Sequence, residues 1–240
     1  MAQDRRIRIV GPGRAGRSFA LALARVGWSV DVLDRHGDLA GAGDEVEAVL
    51  LCVPDGRIAG VAADIEPSDA AVLHCSGVTS LAALAPHQRV GSIHPLMALP
   101  DPEIGAARLL DQGWYAVAGD PLAQDLVRAL GGRGFAVADE DRARYHATAA
   151  IAANHLVALL AQVERLAAEL AIPVDAFLDL AQGSFDDVRS VGALHALTGP
   201  ASRRDGGTLD AHRQALPADE TTLYEALSAA AAKLGDLRRG

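Results

Sequence analysis

The sequence predicts an α/β fold: a doubly wound parallel sheet followed by an all-helical region. Three observations carry this. Short β-branched or wholly apolar runs alternate with helical patterns through about the first 138 residues, as in chained strand–helix–strand units. A glycine fingerprint directly follows the first of those runs. From Asp141 to Leu170 an Ala- and Leu-rich stretch contains neither glycine nor proline, which reads as one long helix.

In chain order, Arg6-Ile7-Arg8-Ile9-Val10 reads as a strand. Ser18 to Val26 reads as a helix ended by Gly27, and Trp28 to Leu33 as the second strand. Ala48 to Val53 is a continuous apolar run, as expected of a strand buried on both faces. Pro54-Asp55 opens a helix to about Ile65, since proline suits a first helical turn. Ala70 to Cys75 is another buried strand and Arg89 to His94 a further one. Trp114 to Ala118, a helix from Pro121 to Leu130, and Phe135 to Ala138 complete this half. The pattern then changes, so the domains read as 1–139, dinucleotide-binding, and 140–240, a helical substrate and dimerisation domain. Past the long helix, Pro173 begins another helical stretch, and Thr198-Gly199-Pro200 and Asp205-Gly206-Gly207 break the remainder.

The composition narrows the function. At 240 residues, 50% hydrophobic and 22% charged, the chain can bury a real core and is not a disordered segment. A net charge of −9 supplies no basic stripe for nucleic acid. No run of about 20 apolar residues lacks charges, which argues against a membrane span. The polar, basic start has no apolar signal core. Cys52 and Cys75, the only cysteines, sit in apolar runs, which suits a reducing compartment; a cytoplasmic location is expected. The only lysine is Lys233.

Gly11-Pro12-Gly13-Arg14-Ala15-Gly16 fits G-x-G-x-x-G between a strand and a helix, and Asp34 lies 23 positions after Gly11, at the end of the second strand. That context makes it a dinucleotide fingerprint. The first glycine allows a tight turn and the second a close approach to a pyrophosphate. The third allows helix–strand packing, and the helix N-terminus faces the phosphates. Asp34 would accept from a ribose 2′-hydroxyl, favouring NAD; Arg35 would pair with a 2′-phosphate, favouring NADP.

Polar clusters end three successive strands: Val53-Pro54-Asp55, His74-Cys75-Ser76-Gly77 and Ser92-Ile93-His94-Pro95. Ligands in such sheets bind beyond the strands' carboxyl ends, so Val53, Pro54 and Ser76 are placed near the cofactor and Ser76 and His94 near the substrate. Ser76 capping its own turn is the alternative. His74 reads as a hydrogen-bonded core histidine. No zinc-type spacing occurs, and no metal is expected. On the long helix His146, Ala150 and Asn154 are four apart and share a stripe, facing a pocket between the domains; Tyr145 and His155 read as packing residues. Thr198, Arg203 and Asp205 cluster at a turn that can hold a small anionic substrate, arginine being the natural carboxylate clamp.

Taken together these motifs resemble the family that joins a Rossmann-like NAD(P)-binding domain to a DUF2520 domain. The resemblance rests on the glycine loop, Val53-Pro54-Asp55, His74 to Gly77, Ser92 to Leu96, Tyr145-His146-Ala147 with Asn154, and Ala196 to Pro200 with Arg203 and Asp205. It departs at Arg204, where members carry glycine, and at Asp186-Asp187. It implies an oxidoreductase, leaning to NADP, related in fold to β-hydroxyacid and 6-phosphogluconate dehydrogenases, ketopantoate reductases and pyrroline-5-carboxylate reductases.

The expected activity is NAD(P)H-dependent reduction of a small carbonyl or imino acid, ketopantoate being one candidate. Related dehydrogenases place a lysine acid one turn before the helix asparagine. Here that position is Ala150, so His146 is the expected proton donor, with Asn154 orienting the substrate, His94 the next candidate, and Arg203 or Ser76 binding the carboxylate. The alternative is a non-catalytic NAD(P)-binding redox sensor. A homodimer built through the helical domain is expected, because the long helix is apolar on much of its surface.

Overall fold

The computed structural model describes residues 5–34 and 37–239. The chain divides into two compact units, 1–153 and 154–240.

The first unit is a seven-stranded sheet: β1 (Arg6–Val10), β2 (Ser29–Leu33), β3 (Ala48–Leu51), β4 (Ala71–His74), β5 (Val90–Pro95), β6 (Trp114–Gly119) and β7 (Arg133–Ala136). The spatial order is β2-β1-β3-β4-β5-β6-β7. The order reverses at β1, so the crevice between the carboxyl ends of β1 and β3 is the topological switch point. Helices α1 (Arg14–Arg25), α2 (Ile58–Ala63), α3 (Pro102–Leu110) and α4 (Leu122–Ala129) join the strands. Alternation along the strands sorts the core. Ile7, Ile9, Leu50, Leu73 and Ile93 pack with Phe19, Leu109 and Leu126 on one face. Val10, Val49, Leu51 and Val72 pack with Ile58, Val61 and Leu84 on the other. Removing each of these larger side chains from water contributes about 1.5–3 kcal/mol.

The parallel, doubly wound sheet departs from parallel pairing at one joint. β5 and β6 pair antiparallel, with Pro95 opposite Tyr115, and Leu96 N–H bonds Trp114 C=O at 2.8 Å. The excursion through α3 returns to the edge it left instead of crossing the sheet, which forces the reversal. A strand–helix–strand pattern does not encode that choice. Helix α3 has a start signal legible in the residues: Asp101 caps it through Glu103 and Ile104 N–H, and Pro102 opens it.

The long helical stretch begins as a 3₁₀ turn (Asp139–Asp141) and α5 (Arg142–Ala150). A π-helical segment, Ile151–His155, then interrupts it before α6 (Leu156–Glu169). The α-helical spacing used to align His146 with Asn154 therefore does not hold across that segment. By length and mean hydropathy, 1.3 over its most apolar window, Asp139–Glu169 also meets the requirements for a membrane span, which the sequence reading had not expected.

The second unit continues with α7 (Val174–Val191), α8 (Ala193–Ala196), α9 (Pro200–Arg203), α10 (Gly206–Ala215) and α11 (Thr221–Arg239). Its ties are largely polar. Gln162 donates to Glu220 C=O at 2.8 Å, and Arg165 pairs with the Glu220 carboxylate at 2.5 Å. Gly235 on α11 lies against the Ser202 backbone so closely that a Cβ there would meet its carbonyl oxygen at 2.5 Å. Among the described residues of this unit, Ala167 is the only buried hydrophobic one.

Candidate functional site

The glycine loop is built as its three roles require. Gly11 has φ +109°, and a Cβ there would lie 2.5 Å from Cys52 C=O on the strand beside it. A Cβ on Gly16 would fall 1.9 Å from Gly11 C=O, so only glycine lets α1 start against the strand end. Around Gly13 a Cβ would meet nothing within 4 Å. Gly13 is the N-cap of α1 with no side-chain cap, and the first turn carries no acidic residue. An uncapped N-terminus of a 12-residue helix, opening into free space at the switch point, is a cradle for an anion. Of the residues assigned to the cofactor, Pro12, Gly13 and Arg14 are exposed and Ala15 half-buried. Val53 borders Gly11, its Cγ1 3.1 Å from a Cβ built there, and Pro54 is exposed. Asp34 follows β2, whose last residue, Leu33, accepts Gly11 N–H at 2.9 Å; Arg35 lies outside the described residues.

Beyond β4 and β5 the chain gathers a second group of side chains. His94, at the end of β5, shares a 2.6 Å hydrogen bond between its Nδ1 and Tyr145 Oη. Its ring stands edge-on to His146, centroids 5.9 Å apart. Gly77 lies beneath both rings: a Cβ there would come 2.8 Å from His146 Cδ2 and 2.9 Å from His94 Nε2. One turn before His146, Arg142 is 3% exposed. It donates from Nε to Asp139 at 2.7 Å and from Nη2 to Ser92 Oγ at 2.5 Å. Asp139 in turn accepts from Ser80 Oγ and Leu81 N–H. Burial pushes the Asp139 carboxyl up, but the bonds from Ser80, Leu81 and Arg142 hold it below the usual carboxylate range.

Electrostatics in this group disfavours added positive charge. Burial, reinforced by His146 and Arg142 and opposed by Asp55, lowers the His94 pKa to about 4. Burial and Arg142 lower His74 to about 4 as well. His74 was read as a hydrogen-bonded core histidine. It is fully buried, yet neither ring nitrogen has a partner among the described residues, at a cost of about 1–3 kcal/mol. Burial raises Tyr145 to about 12, so it is a neutral phenol at neutral pH.

The structure thus brings together His94, His146, Gly77, Ser92 and His74, and adds two residues that the sequence reading missed. Tyr145, read as packing, bonds His94. Arg142 went unnoticed, although it stands four residues before His146 and hence on the same helical stripe. Ser76 spends its hydroxyl on its own turn: it bonds Thr79 Oγ1 at 2.8 Å and accepts Val78 and Thr79 N–H. The capping alternative describes its side chain.

Asn154, Thr198, Arg203 and Asp205 belong to the second unit. Asp205 caps α10, accepting Thr208 N–H at 3.2 Å and Thr208 Oγ1–H at 2.8 Å. Those bonds hold it below the usual carboxylate range. The carboxylate is thus engaged at the helix start. Arg204, the departure from the family pattern, adopts φ +58° and pairs with Asp236 at 2.6 Å, so the turn keeps the left-handed geometry that glycine favours. Thr198 is exposed, and Arg203 is near enough to Asp205 for its charge to help lower that carboxyl. Among the described residues no three His, Cys, Asp or Glu side chains are grouped to hold a metal ion.

Comparison with known proteins bears on both units. Residues 116–231 match the family model described as a domain of unknown function, DUF2520. No curated protein matches the chain. Among solved structures, protein TM1727 from Thermotoga maritima is 24% identical, with a TM-score of 0.76 over 98% of this chain and 100% of that one. Protein BF3122 from Bacteroides fragilis is 19% identical, with a TM-score of 0.77 over 96% and 98%. Pyrroline carboxylate reductase from Plasmodium falciparum, solved with NADP bound, is 10% identical, with a TM-score of 0.65 over 97% and 99%. At such identities the likeness is one of fold.

Proposed function

We propose, for a chain whose first unit is a Rossmann-type sheet and whose residues 116–231 match the DUF2520 model, an NADP(H)-dependent reductase of a small carbonyl or imino acid, with NAD(H) as the other candidate cofactor and a 2-oxo acid such as ketopantoate as one candidate substrate. The observation that carries this reading is the open, uncapped helix N-terminus at Gly13, set at the switch point of the sheet. Gly11, Gly13 and Gly16 with the first-turn N–H groups of α1 would hold the pyrophosphate, and Asp34 the ribose. The bound nicotinamide supplies hydride. His146, beside His94, gives the proton; for the second unit the roles proposed are substrate orientation by Asn154 and carboxylate binding by Arg203. NADPH consumption across a panel of 2-oxo acids, cyclic imines and aldehydes tests the reading. Tight cofactor binding without turnover on any member would replace it with a redox sensor; no binding of either cofactor would overturn both.

We also propose a homodimer seated on the second unit. That unit leaves Val157, Leu180 and Leu237 about two-thirds or more exposed, and Phe185 and Val188 nearly half exposed. Ala167 alone is no core, so a second copy supplies the missing apolar contacts. A bilayer fits Asp139–Glu169 less well. Near one end Arg142 is bonded to Ser92, and near the other Gln162 and Arg165 are bonded to Glu220, ties that hold polar groups in folded protein. Light scattering should report about twice the 24.8 kDa chain mass; a monomer at micromolar concentration would refute the dimer.

A further inference from the structure

We propose that Tyr145 is a positioning residue that fixes His94 as the neutral tautomer with its proton on Nε2, so that this N–H donates a hydrogen bond to the oxygen or nitrogen of the substrate's reducible double bond. The naming of a substrate atom rests on the reductase reading; the tautomer does not.

The geometry makes the assignment. Nδ1 and Tyr145 Oη stand 2.6 Å apart. A phenol is the stronger acid of the two and an imidazole nitrogen the stronger acceptor, so Tyr145 donates and Nδ1 accepts. A neutral ring then carries its proton on Nε2. That nitrogen is at the far end of the ring from Tyr145. It lies over Gly77, where the missing side chain leaves it beside the His146 ring. The ring stays neutral because of what faces it. Arg142 and His146 on α5 add positive charge, His74 on β4 is neutral, and Asp55 after β3 is the opposing carboxylate. The Arg142 guanidinium is buried and anchored by Ser92 and Asp139, so the bias is built into the fold.

The division of labour between the two histidines follows. When hydride adds to the carbonyl carbon, the π electron pair moves to oxygen. The His94 Nε2–H holds that oxygen and keeps its own proton, while His146 supplies the proton that completes the hydroxyl. A neutral donor stabilises developing negative charge without having to be recharged each cycle.

The test needs neither substrate nor cofactor. In ¹⁵N-labelled protein at neutral pH, two-bond ¹H–¹⁵N correlations assign the His94 tautomer. The expected result is a single tautomer, with Nε2 protonated and Nδ1 showing the shift of a hydrogen-bonded acceptor. In Tyr145→Phe the Nδ1 signal should move to that of a free acceptor. The His94 titration midpoint should also rise, because a bond donated to the neutral form disfavours the charged one. A wild-type ring protonated on Nδ1, or doubly protonated at neutral pH, would overturn the proposal, as would an unchanged tautomer and midpoint in a folded Tyr145→Phe. If that variant does not fold, the wild-type spectrum alone decides. Loss of the NADPH reading would leave these spectra unaltered, so the two failures are distinguishable.

Discussion

Gly13→Asp should lower NADP(H) affinity by about 100-fold or more while leaving the chain folded. The two halves of this expectation come from the same geometry. Gly13 sits at φ −70° and ψ −173°, extended backbone that any residue adopts, and a Cβ there meets nothing within 4 Å. Aspartate is moreover a favoured N-cap, so its carboxylate can accept the first-turn N–H groups of α1 and hold the helix at least as firmly as glycine does. Those are the donors a pyrophosphate needs, and the carboxylate adds like-charge repulsion of several kcal/mol; each 1.4 kcal/mol is tenfold. Nucleotide titration by fluorescence, paired with thermal melting, checks both halves. Undiminished affinity in a folded Gly13→Asp chain would remove the cofactor site from this loop.

His146→Gln should lower turnover by roughly 10²–10⁴-fold, the usual loss of a positioned general acid, with cofactor affinity nearly unchanged. Glutamine keeps much of the size and the polarity but has no proton to give. Two histidines stand at this edge. His94, its pKa lowered to about 4 by burial, His146 and Arg142, is uncharged at neutral pH and is a poor proton source. His146, whose ring stands edge-on to that of His94, is then the candidate donor at this edge. Rates for the variant measured on the best member of the substrate panel decide it. Near wild-type turnover would move the acid to the Tyr145–His94 pair.

Much was legible in the residues because it is written in local chemistry. Fully apolar runs such as Ala48 to Val53 announce strands buried on both faces. The glycine loop announces its own geometry, since Gly11 and Gly16 stand where any side chain would strike backbone. The absence of glycine and proline from Asp141 to Leu170 announces a long helix. The polar ends of β3, β4 and β5 were also readable, because parallel strands must all present their carboxyl ends at one edge.

What the residues did not contain depends on contacts between segments distant in the chain. The reversal between β5 and β6 is decided by which edge the chain returns to, and both choices share one pattern of strands and helices. The π segment at Ile151–His155 shifts a stripe that α-helical arithmetic had aligned. Tyr145 is separated from His94 by 51 positions, and Arg142 from Ser92 by 50. Sequence alone gives residue types and local spacing; the low-dielectric cluster that keeps His94 neutral is created only when β5 and α5 come together.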